Sequence, residues 1–118
     1  MSTWKITLNS PWFSHVQNRD KIYEGHCYWK SAPASLYKVG DTLEISHHTD
    51  ATQDSFQVKI TDIQIFDSFE HALNAILLSE VLPGINSIEE GINIYYKYVS
   101  LPTQLANKVC MIKIQKIK

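Results

Sequence analysis

The sequence predicts an α+β fold built around a curved, mainly antiparallel β-sheet. Strand-type alternation and helix-type periodicity occupy separate blocks, in the order strand, helix, several strands, two helices, strand. In the strand pattern over residues 55–66 the alternation slips by one position at Thr61 and Asp62, which indicates a bulge, and bulges occur where sheets curl into barrels. The chain has 118 residues, 44% of them hydrophobic, so we expect 1–118 to form a single domain.

The first third of the chain predicts strand, helix, strand and loop. Residues 3–9 alternate apolar and polar side chains, as a half-buried strand does. Ser10 and Pro11 predict a short helix, with the serine as cap and the proline at the first helical position. Its apolar stripe consists of Trp12, Phe13 and Val16. A second strand over residues 22–29 and a proline-containing loop over residues 30–37 follow.

The rest of the chain predicts two more strands, two helices and a closing strand. A Gly-Asp turn leads into a third strand that ends at His47 or His48, and residues 55–66 form the fourth. The apolar spacing predicts helices over residues 69–81 and 87–99, the latter beginning at a capping box. The final strand, residues 108–117, is expected to have a polar outer face that includes Met111, Lys113 and Gln115.

Composition excludes several classes of protein. A net charge of −1 argues against duplex nucleic-acid binding through a global field, so any such role needs a local site. The chain lacks a membrane-length apolar run and a signal-peptide pattern, so we expect an intracellular, soluble protein, cytoplasmic or nuclear, with no membrane partner. Cys27 and Cys110 are expected to be free thiols. The adjacent His47 and His48 point to opposite faces of a strand, and no carboxylate or cysteine completes a ligand set with them or with His15, so we expect no metal site. We expect no cofactor either.

Six segments, in order along nearly the whole chain, resemble the ASCH domain family. They are Lys21-Ile22-Tyr23-Glu24-Gly25-His26, Lys38-Val39-Gly40-Asp41, the strand 56–63, the helix start 66–70, Leu82-Pro83-Gly84 and Ile94-Tyr95-Tyr96-Lys97-Tyr98. The resemblance implies a PUA-like β-barrel with a short N-terminal helix and two further helices packed outside. It also implies a cleft that accepts RNA, a nucleotide or a modified base.

Lys21 and Glu24 are the best candidates for the site, because they fall at the predicted junction of helix and strand. A lysine paired with a carboxylate is a fixed cation, whereas a desolvated lysine without that partner loses its charge and can act as a base. The sequence leaves both alternatives open, together with that of a plain surface ion pair. The resemblance implies that the functional lysine is Lys21. The predicted ligand-binding residues are Lys21, Tyr23, Glu24, His26 and Trp29.

The resulting functional hypothesis is a domain that binds single-stranded RNA, a nucleoside or a nucleotide. One alternative is an RNA-directed enzyme, a ribonuclease or an N4-acetylcytidine-type amidohydrolase, with Lys21 and Glu24 as candidate catalytic residues. Glu24 stands where those amidohydrolases have a nucleophilic threonine, and a carboxylate cannot replace an attacking hydroxyl. Glu70 or Glu80 could supply a further acid. A protein interaction module is the other alternative.

Overall fold

The computed structural model describes residues 2–29, 34–50 and 52–117. Within these residues five strands form one sheet: β1 (Thr3–Leu8), β2 (Tyr23–Cys27), β3 (Thr42–His47), β4 (Phe56–Phe66) and β5 (Val109–Lys116). The α-helices in the same residues are α1 (Trp12–Gln17), α2 (Phe69–Ala75), α3 (Leu78–Val81), α4 (Ile88–Tyr96) and α5 (Leu101–Asn107). A short 3-10 turn, Ala34–Leu36, precedes β3. None of the helices in the described ranges is long and apolar enough to cross a membrane.

The sheet is curled into a half-barrel with the strand order β1-β3-β4-β5-β2. β1 pairs with β3 in parallel, and the other three pairings are antiparallel. The ladder between β4 and β5 shifts register between Ile60 and Asp62, which confirms the bulge predicted from the slipped alternation. The extra residue bends β4, the central strand of the curved sheet. The predicted fold class, α+β with a mainly antiparallel curved sheet, is therefore confirmed.

Two apolar clusters pack against opposite faces of β5. Cys110, Ile112 and Ile114 belong to one cluster, together with Phe13 of α1. The intervening residues of the strand belong to a second cluster formed with α2, α3 and α4, namely Val109 and Met111. The expected polar outer face of this strand is therefore wrong at Met111, which is fully buried because helices cover it. The polar face begins only at Lys113.

The helix boundaries correct three expectations. Pro11 precedes α1 rather than occupying its first turn, and the hydroxyl of Ser10 bonds to Nε2 of His47 at 2.9 Å instead of capping the helix. The predicted helix over residues 69–81 is wrong as a single element. Ile76 and Leu77 are extended and separate α2 from α3. The apolar spacing did not reveal this break, because Ile76 and Leu77 both fit the helical stripe. In the structure Leu77 is nevertheless 65% exposed.

Helix α5 was not predicted, so four helices rather than two follow β4. Ser100 caps it by accepting a hydrogen bond from the backbone amide of Thr103. Gln104 is fully buried: its side-chain Oε1 accepts from the backbone amide of Phe69 at 2.9 Å, and its Nε2 donates to the Val99 carbonyl at 3.0 Å. A buried amide therefore fastens α5 to the beginning of α2, a contact that local sequence patterns do not report.

Candidate functional site

The junction between α1 and β2 turns the chain so that Lys21 points into the molecule. Arg19 adopts a left-handed backbone conformation with φ of 69°, and the amides of Asp20 and Lys21 both donate to the carbonyl of His15. The amide of Ile22 then donates to the Glu80 carbonyl at 2.7 Å, which joins the beginning of β2 to α3. The Lys21 side chain is consequently buried between these elements rather than spread over the surface.

The ammonium group of Lys21 is surrounded by oxygen atoms. Nζ donates to the Tyr23 carbonyl at 2.7 Å and to the Val81 carbonyl, and it lies 3.8 Å from Oε2 of Glu24. Burial lowers the pKa of Lys21, and the Glu24 carboxylate opposes that shift. An ammonium has three N–H donors, so one is left without an acceptor at hydrogen-bond distance in the described residues. This pair is not a plain surface ion pair.

Glu24 and His26 present two unsatisfied polar atoms. They are two residues apart in β2 and so share a face of the sheet. Oε2 of Glu24 and Nε2 of His26 are both buried, and neither has a hydrogen-bond partner in the described part of the chain. Burial lowers the pKa of His26, with an opposing contribution from Glu24, so the imidazole is neutral at pH 7. Because buried polar atoms are normally paired, these two atoms are suited to bind a ligand.

A cavity of about 250 Å³ opens beside these groups. Lys21, Glu24 and His26 line it together with four aromatic residues, namely Trp12, Phe69, Tyr95 and Tyr98. The rings of Phe69 and Tyr95 stack in parallel with centroids 3.8 Å apart. Burial raises the pKa of Tyr95 well above its usual value, so the phenol stays protonated and can donate a hydrogen bond.

Gly25 allows the stacked rings of Phe69 and Tyr95, which form the aromatic wall of the cavity, to approach strand β2. A Cβ atom at this position would lie 2.8 Å from Cε1 of Phe69 and 2.9 Å from the hydroxyl of Tyr95. Both distances are too short for real side-chain contacts, so a larger residue would displace the two rings. The glycine therefore brings the aromatic wall into contact with β2.

The predicted site residues divide into two groups. Lys21, Glu24 and His26 come together at the cavity, whereas the side chains of Tyr23 and Trp29 do not line it. Tyr23 packs into the apolar cluster beneath α2 and offers only its carbonyl, to Lys21. Trp29 lies beyond the end of β2, is 62% exposed and packs edge-on against Tyr28. Ligand binding by Tyr23 and Trp29 remains a prediction, and it would require a site other than this cavity.

No family model matches the sequence, and no curated protein matches it at a significant level. Solved structures do match. The chain is similar to the hypothetical protein PH0355, with 25% identity and a TM-score of 0.85 over 98% of this chain and 99% of that one. It is also similar to protein PF0455 from Pyrococcus furiosus, with 26% identity and a TM-score of 0.77 over 98% of each chain.

A variant of ZmASCH from Zymomonas mobilis matches at 14% identity with a TM-score of 0.64, over 97% of this chain and 71% of that protein. A second ZmASCH variant gives the same TM-score at 12% identity, over 97% and 72% of the two chains. The chain has an ASCH-like fold.

Within this ASCH-like fold, the two residues of the aromatic wall belong to helices that follow β4 in the chain. Phe69 begins α2 and Tyr95 lies near the end of α4, so neither is near Lys21 in sequence. Their apolar spacing predicted core positions but gave no sign that they border a cavity. Glu70 and Glu80, the further acids considered from the sequence, do not line it. No group of three metal-binding side chains occurs in residues 2–29, 34–50 and 52–117.

Proposed function

We propose that this chain binds a nucleobase, presented by single-stranded RNA or by a free nucleoside or nucleotide, in the cavity beside Lys21. The observation that carries the proposal is the pair of buried, unpartnered atoms, Oε2 of Glu24 and Nε2 of His26, at a small cavity with aromatic walls. Drug-sized ligands occupy cavities of about 300–1,000 Å³, so this one suits a smaller group such as a single base.

The polar groups of the cavity suit a base that carries an exocyclic amine. Oε2 of Glu24 can accept a hydrogen bond from such an amine, as carboxylates do with cytosine N4. The remaining N–H of Lys21 can donate to a ring nitrogen or carbonyl oxygen next to that amine. Cytosine and adenine have a donor and an acceptor side by side in this way. In the same orientation uracil would place its O4 oxygen against Glu24 and its N3–H against Lys21, so we expect it to bind more weakly.

The aromatic side chains supply stacking surface for the base. Tyr98 lines the cavity and is 63% exposed, and the ring centroid of Trp12 lies 5.7 Å from the ammonium nitrogen of Lys21. Stacking of a base on an aromatic ring contributes about 1–3 kcal/mol and tolerates different bases. Stacking therefore adds affinity, while Glu24 and Lys21 add selectivity.

Binding accounts for these groups better than catalysis does. A nucleophile needs an activating base or a lowered pKa, and burial instead raises the pKa of the Tyr95 hydroxyl. The nitrogen of Lys21 already donates to the Tyr23 and Val81 carbonyls, which favours the charged ammonium over a free amine. We therefore assign Lys21 and Glu24 to ligand recognition.

Calorimetric titration with cytidine, adenosine and uridine tests the proposal. We expect the parent protein to bind the two amine-bearing nucleosides at least about tenfold more tightly than uridine. Glu24→Gln should lose at least about tenfold in affinity for cytidine, because a charged carboxylate acceptor is replaced by a neutral amide that makes a weaker hydrogen bond. Tyr98→Ala, at an exposed position, should weaken all three ligands by the loss of stacking without unfolding the chain.

Glu44→Gln is the matched control, since Glu44 of β3 lies 3.9 Å from Lys5 of β1 in a solvent-accessible pair, and neither residue lines the cavity. It should bind cytidine as the parent does. Thermal melts establish the temperature at which each variant is folded. A folded parent that binds no nucleoside would overturn the proposal, as would unchanged binding by both Glu24→Gln and Tyr98→Ala. Chromatography of the ligands after incubation would favour the enzyme alternative if it reveals conversion.

A further inference from the structure

We infer that a second site, a basic groove beside the cavity, binds the phosphates of a single-stranded nucleic acid. This inference rests on the proposed function and extends it from one base to a strand. The groove has a volume of about 550 Å³ and lies between the end of α1, the bulge of β4 and the end of β5. Its polar lining residues, which define the basic groove, are Arg19, Lys21, Thr61, Lys113, Gln115 and Lys116.

The charge of the basic groove differs from that of the whole chain. Twelve acidic and eleven basic residues give the chain a net charge of −1. In the described residues the groove is lined by three solvent-accessible cations, Arg19, Lys113 and Lys116, by Lys21, whose ammonium is paired with Glu24, and by no acidic side chain. Asp62 lies opposite Lys113 in the ladder, but it is outside the lining and its carboxylate accepts from Nε2 of Gln64 at 3.1 Å. The groove therefore concentrates positive charge locally, as a phosphate-binding site requires.

Hydrogen bonds hold the ammonium of Lys116 and the backbone of Arg19 at the groove. Lys116 Nζ donates to the carbonyl of Gln17 at 3.1 Å and lies 5.4 Å from the centroid of the Phe56 ring. The backbone amide of Arg19 donates to the carbonyl of Val16 at 3.0 Å, which fixes the left-handed turn that carries this exposed side chain. A guanidinium can bind two phosphate oxygens at once, and Arg19 is the one arginine of the sequence.

Lys21 connects the groove with the base cavity, because it lines both. A strand whose base enters the cavity can therefore place neighbouring phosphates in the groove. A duplex fits this arrangement poorly, since its bases are not free to enter a cavity and its binding requires a broad basic surface. We therefore assign the groove to single-stranded rather than double-stranded nucleic acid.

Lys113→Glu tests the groove, because Lys113 is exposed and is not part of the cavity lining. Fluorescence anisotropy measures the affinity for a short labelled single-stranded RNA between about 50 and 200 mM salt. We expect the variant to bind the RNA at least about tenfold more weakly at the lowest salt. The magnitude of the slope of log K against log salt concentration should decrease by about 1, while the affinity for cytidine stays unchanged. Lys5→Glu, in β1 and outside the linings of both the groove and the cavity, is the control and should change RNA affinity less than about twofold.

The outcomes separate the two proposals. Equal RNA affinity and salt slope in Lys113→Glu and the parent would overturn the groove proposal. An equally large loss of RNA affinity in Lys5→Glu would overturn it too. Tight binding of the same RNA as a duplex would overturn the single-strand assignment. If the parent binds cytidine but no RNA, the groove proposal fails and the cavity proposal stands. If it binds RNA but no nucleoside, and Lys113→Glu weakens the RNA, the cavity proposal fails and the groove stands as a phosphate site.

Discussion

The buried Lys21–Glu24 pair predicts a large, pH-dependent loss of stability when its carboxylate is removed. Glu24→Gln would leave the ammonium of Lys21 buried with two carbonyl oxygens but no counter-charge. Breaking a buried pair by removing one partner costs about 3–5 kcal/mol. The exposed pair Lys5–Glu44 has nearly the same separation, 3.9 Å against 3.8 Å, and side chains that are 84% and 31% exposed. Glu44→Gln should therefore cost only about 0–1 kcal/mol.

The pH dependence follows from the lowered pKa of Lys21. Burial places the folded-state pKa below the unfolded value, and loss of Glu24 lowers it further. Between the two pKa values the unfolded chain holds one more proton than the folded chain, so stability rises with pH by about 1.4 kcal/mol per unit. In Glu24→Gln that rise begins at a lower pH than in the parent. The cost of the substitution should therefore be greatest near neutral pH and should shrink as pH rises.

Urea unfolding of the parent, Glu24→Gln and Glu44→Gln between about pH 6 and pH 10 measures both effects. A double-mutant cycle with Lys21→Met isolates the pair. The double variant should be more stable than the sum of the single changes predicts, by about 1–3 kcal/mol. The reasoning would be refuted if Glu24→Gln cost no more than Glu44→Gln, or if the difference between them did not change with pH.

Three further predictions concern the fold and its thiols. Gly25→Ala should destabilise the chain by about 1–3 kcal/mol in thermal melts, because its Cβ would meet Phe69 at 2.8 Å; an unchanged melting temperature would contradict that packing. Hydrogen bonds from the Ser2 amide and the Trp4 indole hold the pKa of Asp41 below its usual value. Asp41→Asn should lower stability above about pH 3.9, and the urea-unfolding curves of parent and variant should converge as pH falls through the folded pKa; a gap that persists in acid would count against this assignment. Cys27 and Cys110 are buried free thiols, so mass spectrometry after unfolding and alkylation without reductant should find two labels, whereas a disulfide would leave none.

Much of the fold could be predicted from the sequence because its signals are local. The slipped alternation at Thr61 and Asp62 reports a bulge in one strand, and Ser87 with Glu90 reports a helix start, since each involves neighbouring residues. The break at Ile76 and Leu77 gave no such signal. Both residues are apolar and fit a helical stripe, and only packing against the sheet makes one of them buried and the other exposed.

The candidate site divides in the same way. Lys21, Glu24 and His26 could be proposed together because they lie within six residues at a predicted junction. The sequence could not decide whether Lys21 is a surface cation or a buried one. That depends on the Val81 carbonyl, sixty residues away, and on the helices that cover the strand. The aromatic wall of Phe69 and Tyr95, and the exclusion of Trp29 from the cavity, also follow from contacts between segments that are distant in the chain. Sequence periodicity reports which residues are buried, whereas only the tertiary structure decides which buried residues meet.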